Sequence, residues 1–285
     1  MLSRLLSYAS FVRFSHSVFA LPFALTGALL ASRQAALTWG RVGWILAAMV
    51  TARTAAMGFN RLVDAKFDAM NPRTAGRELP RGLVSRREAL TLVIVSSLAF
   101  IAVTWPLGPV CFTLSPVALA IIFWYSVAKR VTAYTQLFLG LALAVAPVGG
   151  WLAAGGGLVE WEPWLLALAT ASWVAGFDIL YACQDLEFDR AHGLRSMPVR
   201  FGIARALWIS RGLHALTVVS LAAVMGVVPL GTVYLGGVVG VGLLLAYEQS
   251  LVRADDLSRV KQAFDLNGYV GIFYLIATAA AIYVG

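Results

Sequence analysis

Five aspartates stand in two short stretches far apart in the chain. "NRLVDAKFD" (60–68) carries Asp64 and Asp68, and "FDILYACQDLEFDR" (177–190) carries Asp178, Asp185 and Asp189. Asp64 and Asp68 are four residues apart, as are Asp185 and Asp189, and on a helix that spacing puts both side chains on one surface. Like charges so placed repel by a few tenths of a kcal/mol when exposed. Against an apolar segment the penalty grows unless a cation lies between them. Carboxylate oxygens are hard ligands suited to Mg2+, which takes one or two of them and completes its shell with water and phosphate oxygens. Arg61, Lys66, Arg73, Arg77 and Arg81 surround the first pair, and guanidinium groups bind phosphate oxygens in bidentate fashion. Acids, bases and adjoining apolar runs together suit a ligand with a diphosphate head and a hydrocarbon tail. Solvated helix ends are the competing reading, and a single pair is as often that. Two pairs on the same side, each with an Asn, Gln or Tyr neighbour, favour a site.

The elements that must carry these residues are membrane spans. The chain has 285 residues, 60% of them hydrophobic and only 13% charged, where a soluble domain has about 25% charged. Mean hydropathy is +0.80, and the apolar runs reach the roughly 20 residues a spanning helix needs. The pattern predicts one all-α domain over 1–285, a polytopic bundle of about nine spans near 15–33, 40–60, 88–106, 109–127, 135–154, 163–182, 204–226, 228–247 and 266–284. Of the 22 Lys and Arg residues, 19 fall in the N-terminal segment and alternate connections on one side. Arg33 and Arg41 fall on the other, and Arg53 lies inside the second span. Positive residues are retained in the cytoplasm, so the N-terminus and both acidic stretches are predicted to face it. The opening "MLSRLLSYASFVRFSH" does not read as a cleavable signal.

This bias accounts for most of the net charge of +8, so the charge does not itself imply nucleic acid. Cys111 and Cys183 lie in apolar runs and make neither a disulfide framework nor a zinc site. His16, His192 and His214 are too scattered for metal binding or a Ser-His-Asp triad, and His16 reads as a polar residue near the start of the first span. A P-loop is missing, which argues against nucleotide hydrolysis. The tryptophans Trp124, Trp151, Trp161, Trp164 and Trp173 read as interfacial belt or packing residues. Arg53 is a functional candidate by default, because a charge within a span is costly. A transporter or cation channel stays open as a second class, although the acids gather at one face rather than crossing the membrane.

Three motifs in order resemble those of the UbiA superfamily of intramembrane aromatic prenyltransferases. "NRLVDAKFD" with "NPRTAGRELPRG" is similar to the first signature, "YSVAKRVT" to the connection that supplies a Tyr and basic ligands, and "DILYACQDLEFDRAHGLRSMPVRFG" to the second signature. "RFSHSVFALPFALTGALLA" resembles the first helix of the branch that prenylates aromatic acids. The resemblance covers residue 10 to the end. It implies a helical bundle around a central cavity, with Mg2+ as cofactor. Asn60, Asp64, Asp68, Asp178, Asp185 and Asp189 would be metal ligands. Tyr125, Lys129, Arg130, Arg195 and Tyr181 would lie at the diphosphate, and Arg53 at the aromatic acceptor. Many members have Lys where this chain has Arg195, which keeps the charge but not the ligand geometry.

The implied reaction moves a polyprenyl group from prenyl diphosphate to an aromatic acid, hydroxybenzoate or dihydroxynaphthoate, on a route to ubiquinone or menaquinone. The wording of the second motif is nearest the menaquinone branch that starts from futalosine. A haem-farnesylating or chlorophyll-type member is the alternative. The implied setting is a bacterial inner membrane, with lipid as neighbour and neither nucleic acid nor an obligate protein partner. The segment "NPRTAGRELPRGLVS" reads either as a plain loop or as a lid whose Arg73, Arg77 and Arg81 add contacts to the anion.

Overall fold

The computed structural model describes Phe11 and residues 19–284, and those residues are almost all helical. The helices are α1 (Leu21–Ala31), α2 (Trp39–Met70), α3 (Arg86–Thr104), α4 (Pro109–Val131), α5 (Thr135–Ala153), α6 (Glu162–Ala182), α7 (Leu186–Ala191), α8 (Met197–Phe201), α9 (Ile203–Ala223), α10 (Gly231–Ser250) and α11 (Val260–Tyr283). Among the described residues, eight segments are long and apolar enough to cross a membrane, with α6 and α7 counting as one, and α1 is a shorter apolar helix beside them. The protein is therefore an integral membrane protein with the expected bundle architecture. Arg4, Arg13, His16 and the start of the first predicted span lie outside the described residues.

Helix boundaries depart from the hydropathy pattern where polar residues continue a helix. The second span was expected to stop near residue 60, but α2 runs 32 residues to Met70. At about 1.5 Å per residue that is roughly 48 Å, well beyond a hydrocarbon core about 30 Å thick. Its last turns thus carry Asp64 and Asp68 beyond the span that hydropathy marks. What stops it is Pro72: the residue before a proline is driven from helical geometry, and Asn71 is extended at ψ 118°. The next helix, α3, restarts with a reciprocal capping box between Ser85 and Glu88, which pairs two otherwise orphaned backbone donors.

The second acidic stretch does not lie on one continuous helix. After α6 the chain tightens into a 3-10 turn at Cys183–Asp185 and only then enters α7. Asp178, Asp185 and Asp189 therefore come from three consecutive pieces of backbone.

Helix α5 packs between α1 and α6 at glycine contacts. A Cβ on Gly27 would overlap the Pro147 carbonyl, one on Gly150 the Ala24 carbonyl, and one on Gly140 the Ala171 carbonyl. Small residues at membrane helix interfaces let backbones approach closely, and dispersion rather than water exclusion drives association there. Trp173 of α6 sits fully buried with Phe23 at 5.0 Å and Phe177 at 5.3 Å between ring centroids. Trp151 is buried too, whereas Trp124, Trp161 and Trp164 are exposed.

Candidate active site

The C-terminal ends of α2, α4 and α6 meet at one end of the bundle, and the turns of residues 71–85 join them. Asp64 is buried and bears two cations from the last turn of α4. Lys129 Nζ lies 2.9 Å from its Oδ2, and Arg130 Nη2 lies 2.9 Å from its Oδ1. Arg130 is held further by donating to the carbonyls of Ser126 and Val63 and by lying 5.3 Å from the Phe67 ring centroid. Asn60 Nδ2 reaches both Asp64 and Ser126 Oγ at 3.5 Å.

Asp68, one turn on, accepts from Arg77 Nη1 at 2.6 Å. Its Oδ2 lies 3.9 Å from Arg61 Nη1 and is buried without a hydrogen-bond partner. An orphaned, buried anionic oxygen is costly. It marks this cluster as one that would accept a further cation.

The second stretch is tied to the first through Asp185. Arg73 forks around that carboxylate, Nε to Oδ1 at 3.1 Å and Nη2 to Oδ2 at 2.5 Å, and Asn71 Nδ2 adds a contact at 3.4 Å. The remaining arm of Arg73 donates to Tyr181 Oη at 2.7 Å, and its guanidinium lies 5.1 Å from the Tyr181 ring centroid. Burial opposes the charge of Arg73, but the hydrogen bond and charge of Asp185 outweigh it and raise its pKa above the ordinary value. Asp178 is half-buried, within electrostatic reach of Asp185, Asp189, Lys129 and Arg73. Asp189 is half-buried beside Ser196 and within reach of Asp185 and Lys129.

Most sequence-marked residues thus gather at one mouth. Tyr125 lies within electrostatic reach of Arg53, Asp64 and Asp178, which brings Arg53 to the inner side of the same cluster. Arg195 is exposed, and its guanidinium donates to the Val131 carbonyl. Arg81 is also exposed.

The donor set fits a divalent ion chemically, with five carboxylates, one of them carrying an orphaned oxygen, and a neighbouring amide oxygen. Its spacing is a different matter. Among the described residues, no three of His, Cys, Asp and Glu lie close enough together to hold a metal. Cations of the chain itself stand on Asp64, Asp68 and Asp185 instead.

Two groups of residues escaped the sequence reading. Asn71 contacts Asp185 across 114 positions; its place beside a proline marked the turn but not the partner. Behind α6 lies a buried polar network. Trp173 Nε1 donates to Asn267 Oδ1 at 2.6 Å, and Asn267 Nδ2 donates to Glu248 Oε1 at 2.8 Å. Ser210 gives its one hydroxyl proton to the Gly176 carbonyl at 2.8 Å, so its oxygen must accept from Gln249 Nε2 at 2.7 Å. Gln249 also meets His214 Nδ1 at 3.0 Å, and the His214 ring rests where a Cβ on Gly176 would stand. The network clasps α6 from α9, α10 and α11 just before Asp178. The only sequence signal was polar residues within apolar spans or at their margins.

The family model for the UbiA prenyltransferase family matches residues 20–277. A 4-hydroxybenzoate octaprenyltransferase of Aliivibrio salmonicida is 33% identical over 236 residues, covering 82% of this chain and 81% of its own. A UbiA homolog from Aeropyrum pernix K1, solved in apo form, superposes with a TM-score of 0.85 at 37% identity, covering 95% of this chain and 98% of that one. A UbiA homolog from Archaeoglobus fulgidus bound to DMAPP and Mg2+ shares the fold, with a TM-score of 0.71 at 20% identity over 98% of this chain and 100% of that one.

Proposed function

From the premise that the chain belongs to the UbiA prenyltransferase family, we propose that it transfers a polyprenyl group from prenyl diphosphate to the ring of an aromatic acid, with Mg2+ as cofactor. One observation carries the reading. Acids from two stretches more than 100 residues apart converge, through Arg73 and Asp185, with Lys129 and Arg130 on Asp64 at the same mouth. The acceptor is hydroxybenzoate, as the name of the bacterial relative suggests; dihydroxynaphthoate is the competing acceptor. The strong Lys and Arg bias supports a cytoplasmic mouth in a cell membrane.

In this mechanism Asp64, Asp68, Asp178, Asp185 and Asp189, with Asn60, would hold divalent ions. Such ions would supply positive charge for the diphosphate leaving group. Lys129 and Arg130, already fixed on α4, add fixed positive charge where its negative charge develops. Tyr125 and Tyr181 line the same mouth, and Arg195 lies at its exposed rim. The apolar walls of the helices exclude water from the allylic cation, which would otherwise be hydrolysed. Arg53 holds the acceptor by its carboxylate, so that a ring carbon attacks the cation and forms a C–C bond. The ring proton then leaves to an Asp or to the released diphosphate.

The test is labelling in membranes with radiolabelled prenyl diphosphate and a panel of aromatic acids, with and without EDTA. Labelled aromatic product that disappears with EDTA and returns with Mg2+ is the expected result. Solute uptake into sealed vesicles without such labelling would replace the enzyme by a transporter.

A further inference from the structure

We propose that Arg73 is a place-holder for a divalent ion at Asp185, and that it exchanges that carboxylate for the diphosphate when ion and substrate arrive together. The inference rests on the prenyltransferase reading and adds an order of events to it.

Both oxygens of Asp185 are engaged by the Arg73 fork. Mg2+ needs at least one of them at about 2.0–2.1 Å, and two cations on one carboxylate repel each other. An ion at Asp185 would use the remaining lone pairs of those oxygens against the repulsion of Arg73, so its arrival favours departure of the guanidinium. This also explains why no three carboxylates stand close enough to share a metal among the described residues: guanidinium groups stand on the carboxylates where ions would.

The cations at this mouth fall into two kinds. Lys129 and Arg130 belong to the last turn of a helix, and Arg130 is locked by two carbonyls and a ring. Arg73 belongs to the turns between α2 and α3, with its side chain 34% exposed. Its other side-chain contacts are with Tyr181, a residue at the same mouth. Arg73 can swing while α4 stays fixed. A bare ion that displaces the fork at Asp185 leaves the guanidinium without an anion. An ion that arrives with diphosphate supplies the replacement anion, so no ion pair is lost. The arginine thereby makes the site discriminate in favour of metal with diphosphate over metal alone.

The probe is Mn2+ followed by electron paramagnetic resonance on the full chain in detergent, with and without inorganic pyrophosphate. In wild type, Mn2+ alone should bind weakly and pyrophosphate should tighten it strongly. Arg73→Ala should bind Mn2+ alone about fivefold more tightly, the scale of one partly exposed ion pair, and should lose most of the tightening by pyrophosphate. Tyr181→Phe, which removes one anchor of Arg73 and keeps the ring, should shift both quantities in the same direction by a smaller factor, and decides the matter if Arg73→Ala does not accumulate. Unchanged or weaker Mn2+ binding in these variants, with wild type behaving as described, overturns the exchange and leaves the prenyltransferase reading standing. Absence of Mn2+ binding in wild type even with pyrophosphate overturns both.

Discussion

Two adjacent glycines of α5 offer a paired experiment. A Cβ at Gly150 would overlap the Ala24 carbonyl oxygen of α1, whereas one at Gly149 meets nothing within 4 Å. Gly→Ala inside a helix gains about 1 kcal/mol in propensity at either site. Overpacking a tight contact costs typically 1–3 kcal/mol, and at Gly150 the obstacle is backbone, which does not rotate aside, so the upper end applies. Gly150→Ala should therefore lose about 2 kcal/mol net and Gly149→Ala gain about 1 kcal/mol. At roughly 2–4 °C per kcal/mol for a chain of this order of size, the two variants should differ by about 6–12 °C in thermal unfolding, measured in one detergent by tryptophan fluorescence. Equal unfolding temperatures, or Gly149→Ala below Gly150→Ala, would refute the close approach of α1 and α5.

The remaining expectations concern the site and its support. Asp64→Ala and Asp185→Ala should each lower turnover roughly 100-fold or more while the protein still reaches the membrane, checked by product formation per unit of membrane-extracted protein; near-full activity of either would count against their role as ion ligands. Arg53→Ala should raise the apparent KM for the aromatic acid and leave that for prenyl diphosphate within about twofold, since its losses are confined to uniform acceptor binding; the opposite split would move Arg53 to the diphosphate. Trp173→Phe leaves the buried Asn267 carbonyl oxygen without its donor, an omission worth about 1–3 kcal/mol, to be read as a fall in unfolding temperature; an unshifted transition would show that this bond contributes nothing.

The sequence announced the spans and both acidic clusters because each is a local feature: long apolar runs, broken by carboxylates four apart and arginines beside them. Hydropathy failed at helix ends. It placed the end of α2 near residue 60 and the start of α11 near 266, where the helices end at Met70 and begin at Val260. Backbone hydrogen bonds continue through polar residues, and only Pro72 signals the stop at α2. The 3-10 turn at Cys183–Asp185 had no such punctuation. Pairings between distant segments, Arg73 with Asp185 or Trp173 with Asn267, depend on how helices are arranged around one another, and no local spacing encodes that. Arg195 shows the same limit from the other side, since its charge and neighbourhood suit the site while its guanidinium is committed to the Val131 carbonyl.

The clasp behind α6 also bears on how the polypeptide enters the bilayer. Glu248 and Asn267 are buried within the bundle and would meet hydrocarbon if α10 and α11 were released from the insertion machinery singly, where an acidic side chain costs up to ~2.5–3.5 kcal/mol near the centre of the bilayer. Trp173 of α6, which donates to Asn267, and His214 of α9, which neighbours Glu248, are already synthesised by then. The last two helices therefore gain by docking onto the earlier ones as they emerge, and a nascent chain truncated after α9 would keep the Ser210 bond to Gly176 but leave Ser210 and His214 without Gln249.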